Sequence, residues 1–203
     1  MSTQTQLIFD DETIKQELKR DVILQIEMEE DYFNPRTDND NAGKMVCFHK
    51  RYELGDEKDS KFEDFNSWDE IKKHLIKNCD AKVILPLYLY DHSGITINTK
   101  GFSCSWDSMK VGFIYLDKQT LLKEWNIKRL SKKERVKREN YLIGEVETYD
   151  DYLTGNVRRF TLIDKLTGDE IDSVGCFFGN DYLNDMKGYV NFNNYKSVEI
   201  VEN

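Results

Sequence analysis

Leu142, Val146, Tyr149 and Leu153 recur at i, i+4, i+7 and i+11. That spacing places four apolar side chains on one side of a helix, with no equivalent grouping on a strand. Ser131 and Glu134 form a capping box just upstream: the hydroxyl accepts from a free backbone N–H while the carboxylate reaches back to another. Gly155 follows the stripe and suits the left-handed residue that ends a helix. A long helix from Ser131 towards Leu153 is therefore expected. Gly144 lies inside it, at a cost of about 1 kcal/mol relative to alanine.

Most of the remaining pattern has period two. DVILQIEME (21–29) sets Leu24, Ile26 and Met28 against Ile23, Gln25 and Glu27, and predicts a strand. Further strands are expected at 44–51, 81–91, 95–99, 111–116, 157–164, 170–178 and 197–201. Pro86 cannot donate to a ladder, so an edge position or a bulge is expected there. Gly168 marks the hairpin between 157–164 and 170–178. Short helices are expected over 10–20, after the Ser67 and Glu70 capping box, over 118–125 behind Asp117, and over 181–186. Residues 30–43 and 52–66 read as connections.

Strands and helices do not alternate as regular βαβ units. This favours α+β: a single domain over 11–203, mainly antiparallel sheet packed with two to four helices, behind a flexible N-terminus at 1–10. Eleven Tyr, eleven Phe and three Trp supply the bulk for a core, which excludes a disordered tail, a collagen-like fibre and a coiled coil. The longest apolar run, Val83 to Tyr90, is too short to span a bilayer. MSTQTQLIFDDE has neither the basic nor the apolar region of a secretory signal. Cys47, Cys79, Cys104 and Cys176 include no CxxC pair. A cytoplasmic protein with reduced thiols, contacting no membrane, is the expectation.

The formal net charge of −9 argues against uniform coating of nucleic acid. The charge is unevenly distributed. Residues 1–70 hold 19 acids and nine bases, whereas residues 128–139 hold seven bases and two acids. Lys132, Lys133, Arg135, Lys137 and Arg138 crowd the first turns of the long helix, just after Lys128 and Arg129. Cations there oppose the positive end of the helix dipole, by a few tenths of a kcal/mol each. They spread round the cylinder, so that end must project into solvent. These seven residues are the expected contacts for phosphate or an acidic partner. Trp125 and Tyr141, close by, could stack on bases or fill core. Glu145, Glu147, Asp150 and Asp151 could line up as a phosphate-like array, but solvated faces are the plainer reading.

The remaining constellations are weaker. Asp38 to Gly43 superficially resembles a calcium loop, but its fifth and twelfth positions hold Ala42 and His49, so a solvated turn is expected. Cys47 and His49 would share a strand face, and with His92 and Cys104 would complete four zinc ligands at irregular spacing. Asp91-His92-Ser93 and Cys104-Ser105-Trp106-Asp107 could line a pocket in which a carboxylate orients an imidazole beside a thiol. Asp80-x-Lys82 and Glu17-x-Lys19 echo part of a nuclease motif, of a kind that arises by chance in so charged a chain. No catalytic residue, metal or cofactor is expected.

Three stretches carry a resemblance: NPRTDNDNAGKMVCFHKRYELGD (34–56), VILPLYLYDHSGITINTKGFSCSWDSMKVGFIYL (83–116) and GEVETYDDYLTGNVRRF (144–160). Over roughly residues 30–180 the chain resembles an uncharacterised family common in phages and mobile elements of Gram-positive bacteria, and departs from it in a longer N-terminus and in the tail at 181–203. The resemblance implies an accessory protein that disables a host defence nuclease such as a CRISPR effector, in the manner of anti-CRISPR inhibitors of type II effectors. It carries over no catalytic residues. The expected function is non-enzymatic inhibition, by docking on the nuclease or on its DNA or RNA. The alternatives are a metal- or thiol-dependent hydrolase built on His49, Asp91, His92 and Cys104, acting on a nucleic acid or nucleotide, and a DNA-binding regulator.

Overall fold

The computed structural model describes residues 19–56, 65–104 and 106–203. The expected flexible N-terminus, most of the expected 10–20 helix, Glu17 and Ser105 lie outside the described residues. The chain groups into two compact units, Phe33–Asn156 on one hand and Met1–Tyr32 with Val157–Asn203 on the other.

Residues 33–156 contain a four-stranded antiparallel sheet of order β2-β5-β3-β4. Its strands are β2 (Lys44–Cys47), β3 (Ala81–Asp91), β4 (Ile95–Asn98) and β5 (Ser108–Asp117). β5 is buried from Val111 to Asp117 because both of its faces are covered. Phe113 and Tyr115 face helix α2 (Trp68–Lys77), which contributes Ile71 and Leu75. Ile114 and Leu116 share the other core with Leu142, Val146 and Tyr149. These three belong to the long helix, α4 (Lys132–Thr154), capped by Ser131 and ended by Gly155 at φ 71°. A strand covered on both sides reads as a continuous apolar run rather than an alternation. Pro86 pairs with Phe113 of β5, while β4 pairs only with Tyr88 to Asp91. The half of β3 holding Pro86 is thus an edge on its other side, where a missing donor costs nothing, and a bulge follows between Leu87 and Tyr88.

The other unit carries a sheet of order β7-β6-β1-β8, made of β1 (Asp21–Met28), β6 (Val157–Asp164), β7 (Glu170–Phe178) and β8 (Ser197–Glu202). β1 pairs antiparallel with β6 and parallel with β8. Val22, Leu24, Ile26, Phe160, Leu162 and Phe177 bury one face beneath Met186 and Val190. Met186 ends the short helix α5 (Tyr182–Met186). Gly168, at φ 77°, turns the β6–β7 hairpin.

The α+β expectation and the mainly antiparallel pairing are borne out, with strands in two sheets. Three helices of eight residues or more, α2, α3 (Lys118–Trp125) and α4, are joined among the described residues by the short α5 and by α1 (Pro35–Asp38). α1 corrects the reading of 30–43 as a plain loop. Asn34 caps it, accepting from the Arg36 amide at 2.9 Å, and Pro35 sits in its first turn, where proline loses no helical bond. Among the described residues, no helix is long and apolar enough to cross a membrane.

Candidate functional site

The α3–α4 corner of residues 33–156 holds the seven expected cations. The Asp117 side chain caps α3, accepting from the Thr120 amide at 2.7 Å, and takes the Lys44 ammonium at 2.7 Å. Burial alone would raise the Asp117 carboxyl. The hydrogen bonds from Lys44 and Thr120 outweigh it and hold the group below its usual range. Stability from such a group is complete above the unfolded value, about 3.9, and is lost as pH falls through the lower folded value. Asp117→Ala should cost about 1 kcal/mol at pH 7 through the lost cap. Urea denaturation repeated towards pH 2 should show that gap narrowing, and a gap independent of pH would refute the assignment.

α3 ends on Asn126, in the left-handed region at φ 52°. The Ile127 amide then donates back to Leu121 at 3.0 Å. Ile127 and Leu130 pack on the core, so Lys128 and Arg129 between them are thrown outwards and exposed. Ser131 caps α4, accepting from the Glu134 amide at 3.2 Å. Residues 132–137 are exposed apart from the half-buried Glu134, and the first fully buried residue of the helix is Leu142.

The seven cations have three different environments. Lys128, Arg129, Lys132 and Lys133 have no acceptor among the described residues. Lys137 pairs with Glu134 one turn back at 3.2 Å, an exposed contact worth little, and Arg135 donates to the Lys82 carbonyl at 2.8 Å. Arg138 is different. Its side chain is 13% exposed, its Nη2 is 3.9 Å from Glu134, and its guanidinium lies 4.2 Å over the Trp125 ring. That stacking gives Trp125, itself edge-on to Tyr141 at 5.0 Å, a structural role. In the other unit the cations around the 164–166 turn have partners: Arg20 with Asp164, and Lys165 with Glu199. At the α3–α4 corner, Lys128, Arg129, Lys132 and Lys133 have no such partner among the described residues, and Glu134 serves both Lys137 and Arg138.

Three of the four carboxylates between 145 and 151 are engaged within the fold. Glu145 accepts from Arg36 and from the amides of Ala42 and Gly43. Asp150 accepts from Thr96 and from the Ile97 amide at 2.7 Å each, tying α4 to the edge strand β4. Asp151 accepts from Asn156 at 2.7 Å, while burial raises its carboxyl above the usual range. Such a stretch does not present a row of free charges. Sequence reasoning missed the partner that organises it. Arg36, its side chain 1% exposed, donates to Glu145, Asp56 and the Gly43 carbonyl. The signal was Asn34-Pro35, a helix start that buries the next side chain.

The hydrolase candidates are engaged in separate contacts. β2 ends at Cys47, so His49 does not share a strand face with it; its Nδ1 instead accepts from the Arg51 and Tyr52 amides at 3.2 Å each. Burial pushes the Cys47 thiol up to about 12, which keeps it protonated. Asp91 pairs with Arg51 and Tyr52. His92 Nδ1 and Cys104 Sγ approach the same oxygen of Asp107, at 3.5 and 3.6 Å. Imidazole and thiol thus share a carboxylate, an arrangement different from the direct thiol–imidazole bond that would generate a nucleophile. Among the described residues no three His, Cys, Asp or Glu side chains are grouped to hold a metal ion.

Comparison with protein-family models, with curated proteins and with solved structures finds no match to this chain.

Proposed function

We propose that this protein is a non-enzymatic inhibitor of a host defence nuclease, encoded by a phage or mobile element and acting in the host cytoplasm. It docks through the α3–α4 corner on the effector or on its bound nucleic acid. The class of partner comes from the resemblance of residues 30–180. The surface comes from one observation: Lys128, Arg129, Lys132 and Lys133 stand exposed, with no acceptor among the described residues, the last two in the first turn of α4 where the helix dipole disfavours them. A local rule broken without compensation inside the fold is what a docking surface requires.

Complementary charge speeds encounter and makes association depend on salt. The triple reversal Lys128→Glu, Arg129→Glu, Lys132→Glu is expected to weaken binding to a guide-loaded type II effector at least tenfold. It should also flatten the dependence on ionic strength, read by biolayer interferometry between 50 mM and 300 mM salt. Unchanged affinity would overturn the proposal. A gel shift with random duplex separates this reading from a regulator of the element's own genes, which would retard the duplex with no effector present.

A further inference from the structure

The exposed side of α4 holds a second stripe, opposite the buried one. Lys133, Lys137, Asn140, Tyr141, Gly144 and Thr148 are spaced at 4, 3, 1, 3 and 4 residues. At about 100° per residue they share one sector of the helix, facing away from Leu142, Val146 and Tyr149. The stripe changes character along its length. Two cations begin it. From Asn140 onward it becomes a wall of a groove of about 600 Å³, closed on the other side by the α1–β2 segment with Asn39 and Asn41.

Gly144 lies in that wall. A Cβ added there would meet nothing within 4 Å, so no packing partner among the described residues requires glycine. A glycine inside a helix is nevertheless unfavourable. The bare backbone leaves a flat surface beside the Tyr141 ring, which is 41% exposed. The neutral polar groups around it are the side-chain amides of Asn39 and Asn140, the Thr148 hydroxyl and the Asn41 amide oxygen, the Asn41 NH2 being spent on the Pro35 and Asn39 carbonyls; they suit a neutral, planar, hydrogen-bonding ligand. The carboxylates present do not oppose this. Glu145 is taken up by Arg36 and two backbone amides, and Asp40, on the far wall, repels phosphate from the groove while tolerating an amine-bearing base. Seven residues separate Lys137 from Gly144, about 10 Å along the axis.

We propose that this face of α4 binds single-stranded nucleic acid, with phosphates on Lys133 and Lys137 and one unstacked base lying in the groove against Tyr141 and Gly144. Duplex is disfavoured because its bases are stacked and cannot offer a ring face. An acidic peptide would use the cations and leave the amide groove unfilled. The proposal rests on the cationic corner as a docking surface for the phosphates, and extends it by naming the ligand class and a new pocket.

The test is fluorescence anisotropy with a labelled twelve-nucleotide single strand, an abasic strand of the same length, and poly-glutamate. Wild type should bind the strand at least tenfold more tightly than either control. Its affinity should fall with salt with a log–log slope of about −1.4, as expected for two phosphate contacts on a single strand. Gly144→Gln, which fills the groove, should bind the normal strand about tenfold more weakly and the abasic strand as wild type does. Lys133→Glu with Lys137→Glu should weaken both strands. Gly144→Ala serves as the folding control and should raise the melting temperature by about 2–4 °C. Equal binding of normal and abasic strands, binding of poly-glutamate as tight as that of the strand, or unchanged binding by Gly144→Gln would overturn the proposal. If wild type binds no strand but still captures the effector, the groove proposal fails and the inhibitor reading stands. If strand binding follows the groove while the triple reversal leaves effector binding intact, the groove proposal stands and the inhibitor reading fails.

Discussion

Arg36→Met is expected to destabilise residues 33–156 by about 3–5 kcal/mol, the range for removing one partner from a buried charge cluster. The guanidinium meets Asp56 Oδ1 at 2.9 and 2.7 Å through two nitrogens, Glu145 Oε2 at 3.0 Å and the Gly43 carbonyl at 2.7 Å. The carboxylates it neutralises are themselves tied to backbone: Glu145 to the amides of Ala42 and Gly43, Asp56 to that of Met45. Its loss would strand two negative charges, one of them on a side chain only 10% exposed. Trp68, Trp106 and Trp125 all lie within 33–156, so the midpoint of urea unfolding read by tryptophan fluorescence reports on this unit. Adding Glu145→Gln to Arg36→Met should recover part of the loss, because it removes one stranded charge. A midpoint that stays put in the single variant would refute the account.

Gly112→Ala should be the next most damaging change, at about 3 kcal/mol, the upper end for inserting a methyl where nothing can yield. A Cβ at Gly112 would stand 2.0 Å from the Val46 carbonyl oxygen and 3.0 Å from the Cys47 Cα. Both are backbone atoms of β2, an edge strand held to β5 by pairing from Lys44↔Tyr115 to Cys47↔Gly112. The added methyl would force the two strands apart. Two measurements check this. The tryptophan-monitored midpoint should fall, and Cys47, buried with its thiol pushed up to about 12, should become open to alkylation under native conditions, read residue by residue by mass spectrometry. An alanine variant in which Cys47 stays as protected as in wild type would contradict the pairing argument. The contrast with Gly144 is instructive: the same substitution is expected to stabilise the open helical site and to damage the closed strand site.

The helices with strong local signals were readable without coordinates. Ser67, Asp117 and Ser131 each accept from the amide three residues on, and the Leu142 to Leu153 stripe packs inward as its period requires. Strand existence was equally legible, since alternation in β1 and the continuous apolar run in β5 follow from one covered face or two. The outward placement of Lys128 and Arg129 could also be anticipated, because a crowd of cations has no way into a core. What could not be read were long-range charge matches. Nothing local to Arg36 identifies Asp56 or Glu145 as partners, 20 and 109 residues away. The separate contacts of His49, and the meeting of His92 and Cys104 at Asp107, were hidden for a similar reason: proximity in three dimensions follows from strand ends and turns that carry no strong residue code. Gly144 was visible only as a weakness of the helix, and the groove facing it requires the α1–β2 segment to be in place.

β1 belongs with β6 and β8, yet all of residues 33–156 are strung between it and them. A ribosome delivering the chain at about 5–20 residues per second emits β1 on the order of ten seconds before its antiparallel mate. Through that interval Val22, Leu24 and Ile26 have no sheet to join, while the intervening stretch already has every strand of its own. Heterologous yield should therefore respond to growth temperature and to chaperone supply, through the waiting time of one eight-residue segment.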